Sequence, residues 1–174
     1  MKRRLAAAVL LVGIAASPGC AMSPSAPVAL GGADPRTARL EEQLAAIAGD
    51  ADPGESRMLA EGALSEARAL AVEYRMTRPP HLHNVLVNVG LKERGLCWHW
   101  TEDLLARLGA LPLASYELHW ATAYRGEMFR EHNSVIVTAR GEPLETGVVL
   151  DPWRDSGELY WSLVSEDRYP WKPH

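Results

Sequence analysis

The stretch His132-Asn133-Ser134-Val135-Ile136-Val137-Thr138-Ala139-Arg140-Gly141-Glu142-Pro143-Leu144-Glu145-Thr146-Gly147-Val148-Val149-Leu150-Asp151-Pro152-Trp153 decides how this chain folds. Two runs rich in β-branched residues flank Arg140-Gly141-Glu142-Pro143, whose composition is that of a turn, and the pattern reads as an antiparallel hairpin. A tight turn centred on Gly141 and Glu142 would set His132 directly opposite Asp151. Directly opposed residues have Cβ atoms about 4.5–5.5 Å apart, close enough for a carboxylate to hold an imidazole N–H. Pro143 points to the competing arrangement, a wider or bulged loop that shifts the register.

Outward from the hairpin, Ser115 to Tyr124 and Glu158 to Val164 read as further strands, with the hairpin arms taken as Asn133 to Ala139 and Val148 to Trp153. Before Pro112 the period changes. Cys97, Trp100, Thr101, Leu104, Leu105 and Leu108 share one face of a helix that Gly109 ends. Met58, Leu59, Leu64, Ala67, Leu70, Ala71 and Tyr74 mark a longer amphipathic helix over Glu55 to Arg75, closed by Pro79-Pro80, and Leu40, Leu44 and Ile47 mark a short one over Thr37 to Ala48. His81 to Val89, with partial alternation and several valines, reads as a strand or an extended lead-in, and Gly90 to Gly95 as a polar turn. His81 and His83 would then share a face on a solvent-exposed edge. Helices followed by an antiparallel sheet give an α+β domain with a helix N-terminus packed against the sheet.

The N-terminus has a different logic. Lys2, Arg3 and Arg4 precede an apolar run from Leu5 to Ala16 and then Ser17-Pro18-Gly19-Cys20, the layout of an export signal. Residues 1–19 are expected to be that signal, 20–35 a flexible tether rich in Pro, Ser, Ala and Gly, and 36–174 the folded domain. Gly19-Cys20 resembles a bacterial lipoprotein signal, which implies a lipidated Cys20 and a membrane anchor in the cell envelope or periplasm. Cleavage after Ala21 is the other reading of the same leader. The chain carries a net charge of −4, and loss of the three leader cations would bring it to −7, which argues against a nucleic-acid partner. No segment after the leader has the length of apolar sequence that spans a membrane. With 47% hydrophobic and 23% charged residues, the remainder is that of a globular protein.

Cysteine usage sharpens this. Cys20 and Cys97 are the two cysteines, so a lipidated or removed Cys20 leaves Cys97 unpaired in an oxidising compartment. A thiol there is either buried and inert or kept for its reactivity. Cys97 opens a helix, where unpaired N–H groups and the helix dipole favour the thiolate and could hold an oxyanion. Together with His132 as base and Asp151 as the base's orienter it makes a triad of residue types, although each has an ordinary alternative: a core thiol, and a surface ion pair at a hairpin end.

Gly95-Leu96-Cys97-Trp98, His132-Asn133-Ser134-Val135 and Leu150-Asp151-Pro152-Trp153 are similar to the core of the transglutaminase-like superfamily, cysteine enzymes with a papain-like fold. The resemblance spans about Gly95 to Trp153, with 35 residues from cysteine to histidine and 19 from histidine to aspartate. It implies Cys97 as nucleophile, His132 as base and Asp151 as orienter, acting on an amide or peptide by hydrolysis or acyl transfer. Where the family often has an aromatic residue after the histidine, Asn133-Ser134 stand here. Asn88, Trp98, Asn133 and Trp153 are the candidates for oxyanion donor or groove wall. Cell-wall endopeptidases of the NlpC/P60 type share the cysteine-then-histidine order, and the substrate expected is a protein, a peptide or a peptidoglycan peptide.

Three other readings compete. Cys97, His99, His119 and His132 could ligate zinc, though their spacing is unlike the common paired-ligand motifs. Trp98, Trp100 and Trp153 could shape a groove while Trp161 and Trp171 pack the core. An envelope-anchored module could keep the fold and bind without turnover. No metal or organic cofactor is implied by the triad reading.

Overall fold

The computed structural model describes residues 34–49 and 52–174. The leader and Cys20 lie outside the described residues, as does the tether up to residue 33. Helix α1 (Pro35–Ile47) starts within the stretch read as tether, because Asp34 caps it: its carboxylate accepts from Arg36 N at 2.9 Å, and Pro35 stands at the position where a missing N–H costs nothing. Asp52 and Pro53 start α2 (Pro53–Glu73) the same way. Leu40 and Leu44 of α1 pack with the fully buried Leu59, Ala60, Ala63, Ala67 and Leu70 of α2. Alanines on that face let neighbouring backbones come close.

The segment read as a strand is instead helix α3 (Pro80–Asn88). Pro80 at its first position is a helix-start signal, and the valines that invited a strand reading lie largely in solvent, with Val85 55% and Val89 63% exposed. His83, expected on an exposed edge, is fully buried. Its Nδ1 accepts from Thr77 N at 3.1 Å and its Nε2 bonds Arg94 O at 2.9 Å, which ties α3 to the turn that follows. Helix α4 (Cys97–Leu108) buries His99, Trp100, Thr101, Leu104 and Leu108 against the sheet and α2.

The sheet comprises β1 (Tyr116–Ala123), β2 (His132–Ala139), β3 (Val148–Asp155), β4 (Glu158–Leu163) and a short β5 (Lys172–Pro173), in the order β4-β3-β2-β1-β5 with every pair antiparallel. Val135, Val137, Val148 and Leu150 face the helices. Ile136 and Val149 face the other way, where they pack with Ala121, Ala123, Leu144 and Trp171. β3 and β4 turn at Ser156-Gly157, both with positive φ, as a two-residue hairpin requires. The α+β class expected from the sequence is the class observed.

The β2–β3 register differs from the tight-turn expectation. Val135 pairs with Leu150 and Val137 with Val148. This register is two residues away from the one expected, a shift that leaves His132 and Asp151 on one face of the sheet without setting them directly opposite. A short 3-10 helix (Leu144–Thr146) after Pro143 lengthens the loop, and Gly147 returns so close to β2 that a Cβ there would lie 2.5 Å from Val137 O.

Candidate functional site

Cys97 is the first residue of α4, and its approach is built to hold it there. Gly95 has φ +125°, and a Cβ on it would sit 2.2 Å from His83 Nε2, so glycine alone fits against that ring. Gly95 N and Leu96 N both donate to His99 Nδ1, at 3.1 and 3.2 Å, and Trp100 Nε1 donates to Gly95 O at 3.0 Å. Burial, with Arg94 nearby, pushes the His99 pKa below the ordinary imidazole value, in keeping with a neutral ring acting as acceptor. Leu96 at the cap position offers no side-chain acceptor to the first turn. Main-chain N–H groups at the start of α4 are therefore available to a ligand beside the thiol.

His132 begins β2 and is 3% exposed. Its ring lies among Trp153, Tyr169 and Trp171, with centroids 4.9, 4.9 and 5.5 Å away. Nε2 meets Asp151 Oδ2 at 2.6 Å. Burial alone would push its pKa down, but the Asp151 carboxylate and then the Cys97 thiol outweigh it and push it up to about 9. With Nε2 bonded to Asp151, Nδ1 is the ring nitrogen that remains for any further partner.

Asp151 has no exposed surface. Burial would raise its pKa, yet His132 and Arg154 hold its carboxyl below the ordinary carboxylate value. Arg154 Nε donates to Oδ2 at 3.0 Å and Arg154 N to Oδ1 at 3.1 Å. All the carboxylate's partners are thus protein groups in fixed positions.

Asn133 faces the opposite side of the strand from His132, toward α4. Its Oδ1 accepts from Trp120 Nε1 at 2.8 Å and Thr122 Oγ1 at 2.9 Å, which fixes the amide and turns Nδ2 to Cys97 Sγ at 3.9 Å. Asn88, Trp98, Asn133 and Trp153 all line one cleft of about 430 Å³ with Cys97 and His132. Trp98 is 42% exposed, Val85 and Phe129 stand at the rim, and Trp153 Nε1 donates to Asn84 Oδ1 at 3.0 Å. A larger, open hollow of about 760 Å³ beside Arg36, Arg78 and Arg154 has neither a cysteine nor a histidine in its wall.

Of the three residues expected to act together, Cys97 and His132 line this cleft, and Asp151 lies buried behind His132, bonded to its Nε2. The zinc grouping does not assemble: His99 Nδ1 is taken by main-chain N–H groups, His119 Nε2 bonds Thr138 Oγ1 at 2.9 Å, and among the described residues no three His, Cys, Asp or Glu side chains are arranged to hold a metal. Arg154, Asn84 and Tyr169 were not anticipated from sequence. Arg154 lies only three residues after Asp151, but the β-bulge between Asp151 and Asp155 that brings it back to the carboxylate has no composition signal. No family model matches this chain, and neither a curated protein nor a solved structure matches it.

Proposed function

We propose that this cleft hydrolyses an amide or peptide through a thioester on Cys97, as a transglutaminase-like, papain-related cysteine enzyme. One observation carries the reading: a buried imidazole, held at 2.6 Å by a buried carboxylate, shares a cleft with a thiol at a helix start. A surface ion pair would need neither the burial nor the aromatic packing around His132.

The Cys97 thiolate attacks the carbonyl carbon, and the negative charge moves to the carbonyl oxygen. Asn133 Nδ2 and the N–H groups at the start of α4 receive that oxyanion. The His132 imidazolium gives its Nδ1 proton to the amine as the C–N bond breaks, leaving the acyl group on sulfur. Water then attacks the thioester and loses its proton to His132, and the carboxylic acid departs as the C–S bond breaks. Asp151 holds the ring in one tautomer throughout and stabilises the imidazolium. An amine in place of water would give acyl transfer. Hydrolysis is the simpler outcome because it needs no second substrate site.

The proposal includes residues 1–19 as an export signal and Cys20 as a lipid anchor, with the chemistry in the cell envelope and a protein, peptide or peptidoglycan peptide as substrate. Rates of iodoacetamide labelling at pH 7 provide the test, with Cys97→Ser as the background for any signal from Cys20. Labelling of Cys97 should slow about tenfold or more in His132→Ala, since the ring supports the thiolate. Equal rates with and without His132 would overturn the triad.

A further inference from the structure

The buried charges around His132 do not stop at Asp151. Arg154 has 11% of its side chain exposed, and Asp167 none. The guanidinium meets Asp151 on one edge. Its other edge grips both oxygens of Asp167, at 2.9 and 3.3 Å. Its face lies over Tyr160 at 3.8 Å and Tyr169 at 4.9 Å, and Tyr169 also packs on the His132 ring. Asp167 in turn accepts from Tyr169 N at 3.2 Å, so the residue that anchors the arginine also anchors the aromatic ring beside the base.

We propose that Arg154 and Asp167 are positioning residues, which fix the Asp151 carboxylate and set how firmly that carboxylate holds the proton on His132. The inference rests on the triad reading for its catalytic meaning, but its electrostatic content stands on the geometry alone. With His132 protonated, the row His132, Asp151, Arg154, Asp167 carries two positive and two negative charges. That balance is what a site sealed from water favours. Arg154 neutralises part of the pull of Asp151 on His132, and Asp167 restores part of it by neutralising Arg154. Remove the charge of Asp167, and the row becomes net positive when His132 is protonated.

The other groups facing His132 are few. From α4 comes the Cys97 thiol. The loop before β2 contributes Arg130 and Glu131 at the cleft, where Glu131 Oε2 accepts from Gly126 N at 2.6 Å and Arg130 pairs with Glu127 at 2.5 Å. α3 contributes His81, which reaches the far side of Trp153 with centroids 5.0 Å apart. Tyr169 flanks the ring from the segment after β4. None of these bonds the Asp151 carboxylate, so the charge of Asp167 reaches that carboxylate through Arg154, while its bond to Tyr169 N, which Asp167→Asn can keep, holds the ring beside His132.

The variant to make is Asp167→Asn, which keeps the shape, with Arg154→Lys as a second variant that keeps the cation and loses the fork. His132 titration is followed by NMR of the imidazole, alongside the pH profile of iodoacetamide labelling at Cys97. Asp167→Asn should lower the midpoint of His132 titration by about one pH unit, because an unbalanced cation is then one carboxylate away. Arg154→Lys should preserve the charge order, with a smaller shift, and leave the ring more mobile because the bidentate grip on Asp167 is lost. An unchanged His132 midpoint in a folded Asp167→Asn protein overturns the proposal, even if labelling of Cys97 still depends on His132. A midpoint that moves as stated, with labelling indifferent to His132, would support the network and sink the catalytic reading instead.

Discussion

Gly95 shows how much can turn on one missing methyl. Its positive φ lies where L side chains are strained, and the His83 ring occupies the space a Cβ would need. That ring cannot yield cheaply, since His83 is fully buried and both its ring nitrogens are bonded. Gly95→Ala should therefore cost about 2–4 kcal/mol, combining backbone strain with steric displacement. Urea unfolding measures it. A loss within about 0.5 kcal/mol, typical of an unconstrained surface site, would mean the turn relaxes freely. Asn133 is the counterpart on the strand side. Trp120 and Thr122 hold its Oδ1 and leave Nδ2 toward Cys97; under the proposed function that donor meets the oxyanion, and Asn133→Ala should lower kcat by about 10²–10³ while KM changes little. Steady-state kinetics on a model amide or thioester would decide the point, and a loss confined to KM would reassign Asn133 to ground-state binding.

At the scale of elements, the helices α1, α2 and α4 and strands β1 to β4 lie close to where apolar periodicity puts them, and α3 does not. Val85, Val87 and Val89 alternate, and alternation implies a face turned to a core. Here tertiary structure overrides it. His83 is the inward residue, and its two bonds to Thr77 N and Arg94 O dock the helix. His83→Leu should cost about 1–3 kcal/mol by leaving those backbone groups unpaired, read from urea midpoints, even though leucine is the more apolar side chain. A neutral or stabilising result would show that packing alone holds α3. The hairpin is the instructive case. The loop after Ala139 is wider than a two-residue turn because Pro143 and a 3-10 helix lengthen it, so direct opposition of His132 and Asp151 was the wrong register. The pair still meets because the shift is two residues, and side chains on a strand repeat every two. A shift of one would have sent the carboxylate to the helix face. Arg154 and Asp167 were hidden for the complementary reason: a bulge and a long return place them, and neither feature has a periodic signature.

For the molecule as a whole, the His132–Asp151 pair makes folding sensitive to pH, and the two partners report the same interaction from opposite sides. His132 is pushed from its ordinary 6.5 up to about 9 in the folded state. A raised value means the folded protein holds the proton more tightly than the unfolded chain, so this contribution is fully present below about pH 6.5 and is lost as pH climbs through 9. The loss amounts to on the order of 3 kcal/mol across that window, with no screening discount because the ring is buried. Asp151 has the opposite sense: its value is lowered on folding, so its contribution is present above the ordinary carboxylate value, about 3.9, and fades as pH falls through its folded value. Since both shifts describe one ion pair, the two figures do not add, and the pair should stabilise most between about pH 4 and 6.5. Urea midpoints at pH 5.5 and 9.5 should then differ in the native protein, higher at the lower pH, with the gap narrowing in His132→Gln. If that variant keeps the full difference, the pH dependence belongs to other groups, and the imidazole in the fold is neutral.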